Sequence, residues 1–61
     1  MRLITSFELA RLHDSALSAI FRRVSEGLAQ TATGSPARRN ALASLENIRR
    51  EQATRRLRPR L

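Results

Sequence analysis

The second half of the chain carries a set of arginines whose spacing favours the binding of anions. A guanidinium group offers five N–H donors in a fixed plane and grips phosphate or carboxylate through two bonds at once. By helical geometry, Arg38, Arg49 and Arg56 form one row, and Arg39 and Arg50 form a second row about 100° around the helix. We predict that the anion-binding or nucleic-acid-binding residues are Arg38, Arg39, Arg49, Arg50, Arg55 and Arg56.

The charge of the chain is concentrated where these arginines lie. The 61 residues include 12 basic side chains, all of them Arg, against 5 acidic ones, and the formal net charge is +7. Residues 1–34 contribute +1 of this charge and residues 35–61 contribute +6. Arg38 and Arg39 also fall in the first turn of a predicted helix, where the helix dipole disfavours cations. Cations at that position indicate a role in binding a partner rather than in stabilising the helix.

Two other interpretations of the arginines remain open at the level of sequence. They can bind an acidic protein surface, or they can serve only to keep the molecule soluble. Ala, Leu and Arg all have GC-rich codons, so a GC-rich genome would produce this composition without selection for Arg chemistry. The spacing of Glu46 with Arg50, and of Glu51 with Arg55, also predicts ordinary ion pairs between successive helical turns. The choice among DNA, RNA and protein stays undecided.

The residue types needed for catalysis or metal binding are scarce. General acid–base chemistry requires poised groups that meet across a cleft, and the five acidic residues are scattered along the chain. His13 is the single histidine, Cys is absent, and no Gly-rich phosphate loop is present. We therefore expect a protein that is not an enzyme and that has no metal, no cofactor and no small-molecule substrate.

Caps and helix breakers predict three helices and no strand, which makes the fold class all-α. Residues 5–8, Thr-Ser-Phe-Glu, have the pattern of a capping box, so a short helix is predicted at about 6–12. A main helix is predicted at about 14–32, with Asp14 as its N-cap after a bend at residues 13–14; the alternative is that the first helix runs straight into it. In residues 33–36, Thr-Gly-Ser-Pro, the Gly suits a left-handed position after a helix end, the Ser suits an N-cap, and the Pro suits the first position of a helix. A third helix is therefore predicted at about 36–56. A connection of about four residues favours an antiparallel helical hairpin.

Apolar residues recur at helical spacing in the main helix and in the first half of the third helix. A domain of about 60 residues is marginal in stability, so we expect the chain to dimerise into a helix bundle or to dock on another protein. The predicted dimer or partner interface consists of Phe7, Leu17, Ile20, Phe21, Val24, Leu28, Leu42, Leu45 and Ile48. Because the apolar stripe then passes to Gln52 and Arg55, we expect the last two turns to project into solvent.

The remaining expectations concern organisation and location. We predict one helical domain at residues 1–57, followed by a mobile basic tail at 58–61, because Pro59 cannot continue a helix. No apolar run approaches the roughly 18 residues of a membrane span, and the N-terminus lacks the apolar core of a secretion signal. We therefore expect a cytoplasmic protein of bacterial type. Contact of the amphipathic residues 14–31 with a lipid surface is a weaker alternative.

These observations combine into a functional hypothesis and one main alternative. We predict a small regulatory or accessory protein, a homodimer whose arginine-rich third helix binds nucleic-acid phosphates. The alternative is a protein-binding modulator, of the adaptor or anti-activator type, that docks its helical hairpin on a larger acidic protein.

Overall fold

The computed structural model describes residues 2–57. It contains three α-helices: α1 at Ser6–Ala10, α2 at Asp14–Ala29 and α3 at Pro36–Leu57. Residues 2–57 contain no strand, so the predicted all-α class is confirmed. The predicted tail at 58–61 lies outside the described residues.

The start of α1 follows the predicted capping box. The Glu8 backbone N–H donates to the Thr5 hydroxyl at 3.2 Å, and the Thr5 backbone N–H donates to the Glu8 carboxylate at 3.3 Å. These two bonds satisfy donors that every helix start leaves without intrahelical partners. Residue Arg11 caps the helix, which therefore ends at Ala10, whereas the sequence predicted an end at about 12.

The chain bends between α1 and α2, as predicted, but the N-cap of α2 is His13 and not Asp14. His13 has an extended backbone (φ −67°, ψ 159°) and makes no side-chain capping bond. Asp14 is the first residue of the helix, where an acidic side chain suits the helix dipole. Its carboxylate accepts a bond from Arg55 at 2.7 Å instead of capping its own helix. The predicted cap was therefore wrong by one residue, because a distant partner engages the Asp14 carboxylate.

The connection from α2 to α3 is longer than predicted. Helix α2 ends at Ala29, where the sequence predicted about 32, and the Thr31 hydroxyl donates to the Leu28 carbonyl at 2.7 Å. Gly34 has φ 77°, the left-handed conformation predicted for it, but it lies in a turn and not directly after the helix. The Arg38 backbone N–H donates to the Ser35 hydroxyl at 3.1 Å, so Ser35 is the N-cap of α3 as predicted.

Helix α3 is the element against which both other helices pack. The buried core combines Leu9 of α1, Leu17 and Val24 of α2, and three residues of α3, namely Ala41, Leu45 and Ile48. Half-buried apolar side chains surround this core: Ile4, Leu12, Ile20, Phe21 and Leu28. The start of α2 lies beside the end of α3, because Asp14 and Arg55 form an ion pair.

Two polar side chains of α3 hold the segment that precedes α1. The Ile4 backbone N–H donates to the Ser44 hydroxyl at 2.9 Å, and the Asn47 side-chain amide donates to the Ile4 carbonyl at 2.9 Å. Ser44 is fully buried, so its hydroxyl serves a backbone group that would otherwise lack a partner. This pair of bonds places α1 on the side of α3.

The molecule is elongated along its helices. Its principal extents are 44 × 16 × 15 Å, and its radius of gyration is 12.3 Å, against about 10.5 Å for a compact chain of this length. No helix within residues 2–57 has the length and apolarity that a membrane crossing requires. The elongated shape leaves one side of α3 exposed along its length.

Candidate nucleic-acid interface

The exposed side of α3 follows from which of its residues the core buries. Ala41, Ser44, Leu45 and Ile48 are the buried residues of this helix and point in one direction around it. What we call the outer face of α3 extends from the edge beside Leu45 round to the side opposite the core, and it consists of Arg38, Arg39, Leu42, Glu46, Arg49, Arg50, Ala53 and Arg56. Six of these residues are exposed, and two, Arg38 and Ala53, are half-buried.

Helical geometry arranges the arginines of the outer face in the two predicted rows. Arg38, Arg49 and Arg56 lie along the first row, and Arg39 and Arg50 lie along the second, about 100° further around the helix. The strip between the rows carries Leu42, Glu46 and Ala53. The outer face thus presents five guanidinium groups and one carboxylate, a net charge of +4.

Most of these guanidinium groups make no bond to the protein itself. Arg50 pairs with Glu46 at 3.3 Å, with both side chains largely exposed, and such surface pairs contribute little to stability. The side chains of Arg38, Arg39, Arg49 and Arg56 make no ion pair or hydrogen bond with any group in residues 2–57. Their donors are therefore available to an anion.

Arg55 differs from the other predicted anion-binding residues, because its donors are already used within the chain. Its Nε donates to Glu51 at 2.8 Å, and its two terminal nitrogens donate to the Asp14 carboxylate at 2.7 Å and to the Leu12 carbonyl at 2.6 Å. The terminal nitrogen that donates to Leu12 also donates to the Leu9 carbonyl, at 3.1 Å. The side chain is only 18% exposed. Arg55 thus joins α3 to the end of α1 and to the start of α2.

This arrangement changes two expectations about α3. The pKa of Arg55 is raised, first by the hydrogen bond to Glu51 and then by the one to Asp14. Arg55 therefore has a structural role, and it does not belong to the arginines that face solvent. The expectation that the last two turns project into solvent is also wrong for the side that carries Arg55, since that side packs on the junction between α1 and α2.

The residues predicted to form a dimer or partner interface divide into three groups. Four of them belong to the buried core of the chain, where a second chain cannot reach them: Leu17, Val24, Leu45 and Ile48. Three are half-buried against that core: Ile20, Phe21 and Leu28. Only Phe7, with 73% of its surface exposed, and Leu42, with 48%, present large apolar surface to solvent. The apolar stripe is thus mainly used within a single chain.

A separate ion pair, between Arg2 and Glu8, strengthens the start of α1. Both terminal nitrogens of Arg2 donate to the Glu8 carboxylate, at 2.9 and 2.7 Å. The hydrogen bond from Arg2, followed by that from the Thr5 backbone, lowers the pKa of Glu8 from 4.5 to about 2. Glu8 therefore completes the capping box and also holds the residues before the helix.

Shallow hollows lie near charged groups in the part of the chain that the structure describes. One is lined by Ala10, Leu12, His13, Asp14 and Arg55, and another by Ser18, Phe21, Arg22, Ser25 and Gln52. In the first hollow Arg55 is already bonded to the carboxylate of Asp14, so its charge is compensated. Within residues 2–57, no group of three or more His, Asp or Glu side chains is placed to hold a metal ion.

Sequence reasoning missed the polar residues that connect distant segments. Ser44 and Asn47 bond to Ile4, and Arg55 bonds to residues more than 40 positions away. One signal was present: Ser44 falls between Ala41, Leu45 and Ile48 on the apolar side of α3, where a polar residue needs a bonding partner. The spacing alone does not identify that partner.

Comparisons with protein-family models, with characterised proteins and with solved structures found no match to this chain.

Proposed function

We propose that the chain is a small, non-enzymatic regulatory or accessory protein that binds nucleic-acid phosphates through the outer face of α3. The observation that carries the proposal is the set of four arginines on this face, Arg38, Arg39, Arg49 and Arg56, whose guanidinium groups make no bond within residues 2–57. Unpaired guanidinium groups along one helix favour a ligand with repeated negative charges.

The length of the arginine rows favours an extended polyanion over a single small anion. From Arg38 to Arg56 the helix rises about 27 Å, which equals about eight base-pair steps of 3.4 Å. The rest of the molecule is close to neutral, because residues 2–35 hold four Arg against three acidic residues. The positive potential is therefore concentrated on the side of the molecule formed by α3.

The salt dependence of binding tests this proposal. For double-stranded DNA, the log–log slope of affinity against salt concentration is about −0.9 per phosphate neutralised. If all five arginines of the outer face engage phosphates, we expect a slope of about −4 to −5. Replacing both Arg39 and Arg49 by Ala should make the slope shallower by about 1.8, because two phosphate contacts are lost. The measurement is fluorescence anisotropy of a labelled duplex at several salt concentrations.

A matched control removes the same charge from elsewhere on the molecule. Arg11 and Arg23 are both exposed and lie outside α3. The double variant Arg11→Ala and Arg23→Ala should keep the slope of the native chain. Equal effects of the two double variants would show that only net charge matters, and no binding at low salt would refute the proposal.

The second candidate function is docking on an acidic protein partner. Leu42 favours it, since this side chain is 48% exposed and lies between the two arginine rows. An apolar residue surrounded by arginines is typical of the centre and the rim of a protein interface. The variant Leu42→Ala separates the two functions: it should leave the salt slope for nucleic acid unchanged, whereas it should weaken a protein complex by more than about 1 kcal/mol.

We further propose that α2 and α3 form an antiparallel helical hairpin and that the chain forms a homodimer. The hairpin is supported by the ion pair between Asp14, at the start of α2, and Arg55, near the end of α3. Within residues 2–57, the large exposed apolar residues outside α3 are Leu3 and Phe7, and these are the candidates for the dimer contact. Light scattering at several protein concentrations tests the dimer, and a monomer mass at high concentration would contradict it.

A further inference from the structure

We propose that the nucleic acid bound by the outer face of α3 is double-stranded DNA, and that α3 lies in its major groove. This inference rests on the proposed function and goes further, because it names the form of the nucleic acid and the groove that holds the helix. It uses three features of the outer face: its width, the separation of the two arginine rows, and the residues between them.

The exposed part of α3 is wide enough to enter a groove. The buried residues and Arg55 lie on one side of the helix, and the exposed residues cover about 160° of its circumference. An α-helix with its side chains is about 10–12 Å across, and the major groove of B-form DNA is about 12 Å wide and 8.5 Å deep. Helices α1 and α2 pack on the opposite side of α3 and remain outside the groove.

The two rows fit the two phosphate chains that border the groove. An angle of about 100° places guanidinium groups of the two rows roughly 10 Å apart, close to the width of the groove. One row, with Arg38, Arg49 and Arg56, would then contact one strand, and Arg39 and Arg50 would contact the other. A single-stranded ligand would use only one of the rows.

The strip between the rows suits base edges better than phosphates. Leu42 and Ala53 are apolar and can contact thymine methyl groups, and the Glu46 carboxylate can accept from the amino group of cytosine. A carboxylate that faced the phosphate backbone would be repelled by it. Placing Glu46 over the base edges removes this repulsion, while its bond to Arg50 at 3.3 Å remains possible.

Double-stranded RNA provides the discriminating comparison. The major groove of an RNA duplex is deep and narrow, and protein side chains cannot read it. We expect the chain to bind a DNA duplex at least ~10-fold more tightly than an RNA duplex of the same length, or than single-stranded DNA of the same length, at one salt concentration. The probes are labelled 16-mers, and the full chain is used throughout.

Modified DNA tests the choice of groove. Glucosylated 5-hydroxymethylcytosine fills the major groove and should weaken binding about tenfold or more, whereas distamycin fills the minor groove and should leave binding unchanged. The variants Arg38→Ala with Arg49→Ala, and Arg39→Ala with Arg50→Ala, should each weaken duplex binding by a similar factor. A large effect of one pair alone would overturn the two-strand arrangement.

The outcomes separate this inference from the function on which it rests. If the chain binds DNA and RNA duplexes with equal affinity, or if glucosylation of the DNA does not weaken binding, the helix does not lie in the major groove. Phosphate binding by the outer face would still stand in that case. No binding to any of the three nucleic acids at low salt would refute the proposed function itself. The inference is supported if the chain prefers duplex DNA, if glucosylation weakens its binding, and if the two double variants weaken binding by a similar factor.

Discussion

At the scale of single residues, arginines that are alike in the sequence have different roles in the structure. Arg55 and Arg56 are neighbours, yet Arg55 has four bonding partners inside the chain and Arg56 is exposed without one in the described range. The difference follows from the helical position, because 100° of rotation separates a residue facing the junction of α1 and α2 from one facing solvent. One arginine therefore stabilises the fold, and the other is available to a ligand.

Removal of Arg55 should destabilise the protein without directly changing the outer face. The variant Arg55→Ala removes the Arg55 donor from the Leu12 carbonyl and from the carboxylates of Glu51 and Asp14, whereas the Leu9 carbonyl keeps its bond from the Leu12 backbone N–H at 3.1 Å. We expect the Tm to fall by several degrees, measured by circular dichroism. The control is Arg56→Ala, which should leave the Tm unchanged; equal effects of the two variants would contradict the structural role of Arg55.

The pH dependence of stability should reveal the ion pair between Arg2 and Glu8. The folded-state pKa of Glu8 is about 2, below its ordinary value of 4.5. A lowered pKa means that the group stabilises the fold above about pH 4.5, and that this contribution is lost as the pH falls towards 2.

We therefore expect the native chain to have a higher Tm than Glu8→Gln at neutral pH. The difference should shrink between pH 4.5 and 2, and it should be smaller in high salt because the pair is exposed. Thermal melts of both proteins across this range provide the measurement. If the difference in Tm stays constant down to pH 2, the negative charge of Glu8 does not stabilise the fold.

At the scale of elements, α3 has two sides with separate tasks. Its inner side supplies Ala41, Leu45 and Ile48 to the core and Ser44 to the segment before α1. Its outer face carries the arginines that have no partner in the described chain. Substitutions on the two sides should therefore have different consequences, and the two tasks can be examined independently.

The inner side should dominate stability. Ile48 is fully buried, so Ile48→Ala should destabilise the fold by about 2–5 kcal/mol, a large part of the stability of a domain this small. Leu42 on the outer face is half-exposed, and Leu42→Ala should change the free energy of unfolding by about 0.5 kcal/mol or less. Urea titration measures both values, and a similar loss in the two variants would show that the outer face is buried in an assembly.

The sequence predicted those parts of the fold that depend on neighbouring residues. The capping box of Thr5 and Glu8, the cap at Ser35 and the left-handed Gly34 all involve contacts within a few positions. The pair of Arg55 with Glu51 was predicted from its spacing of four residues and is confirmed. The bond of Ser44 to Ile4 and that of Arg55 to Asp14 escaped prediction, because these partners are about 40 positions away and become neighbours only after the helices pack. The arginine rows were predictable from the helical period, whereas the loss of Arg55 from the solvent-facing set depended on this packing.

At the scale of the whole molecule, the fold separates an apolar core and a nearly neutral side from a strongly basic side. Helices α1 and α2 cover one side of α3, and the elongated shape leaves the other side exposed over about 27 Å. Long-range attraction to a polyanion therefore acts mainly on α3. This distribution of charge supports the proposal that the arginines of its outer face, and not the other arginines, contact nucleic-acid phosphates.

The most direct test is an NMR titration that follows the Nε–H signals of individual arginines as a DNA duplex is added. We expect the signals of Arg38, Arg39, Arg49 and Arg56 to shift and to become protected from exchange, because these side chains gain phosphate partners. The Arg55 signal should already be protected in the unbound protein and should stay in place, since its Nε donates to Glu51. If the protein binds DNA but the outer-face signals do not move, or if the Arg55 signal shifts as much as that of Arg56, then the outer face of α3 is not the surface that contacts the phosphates.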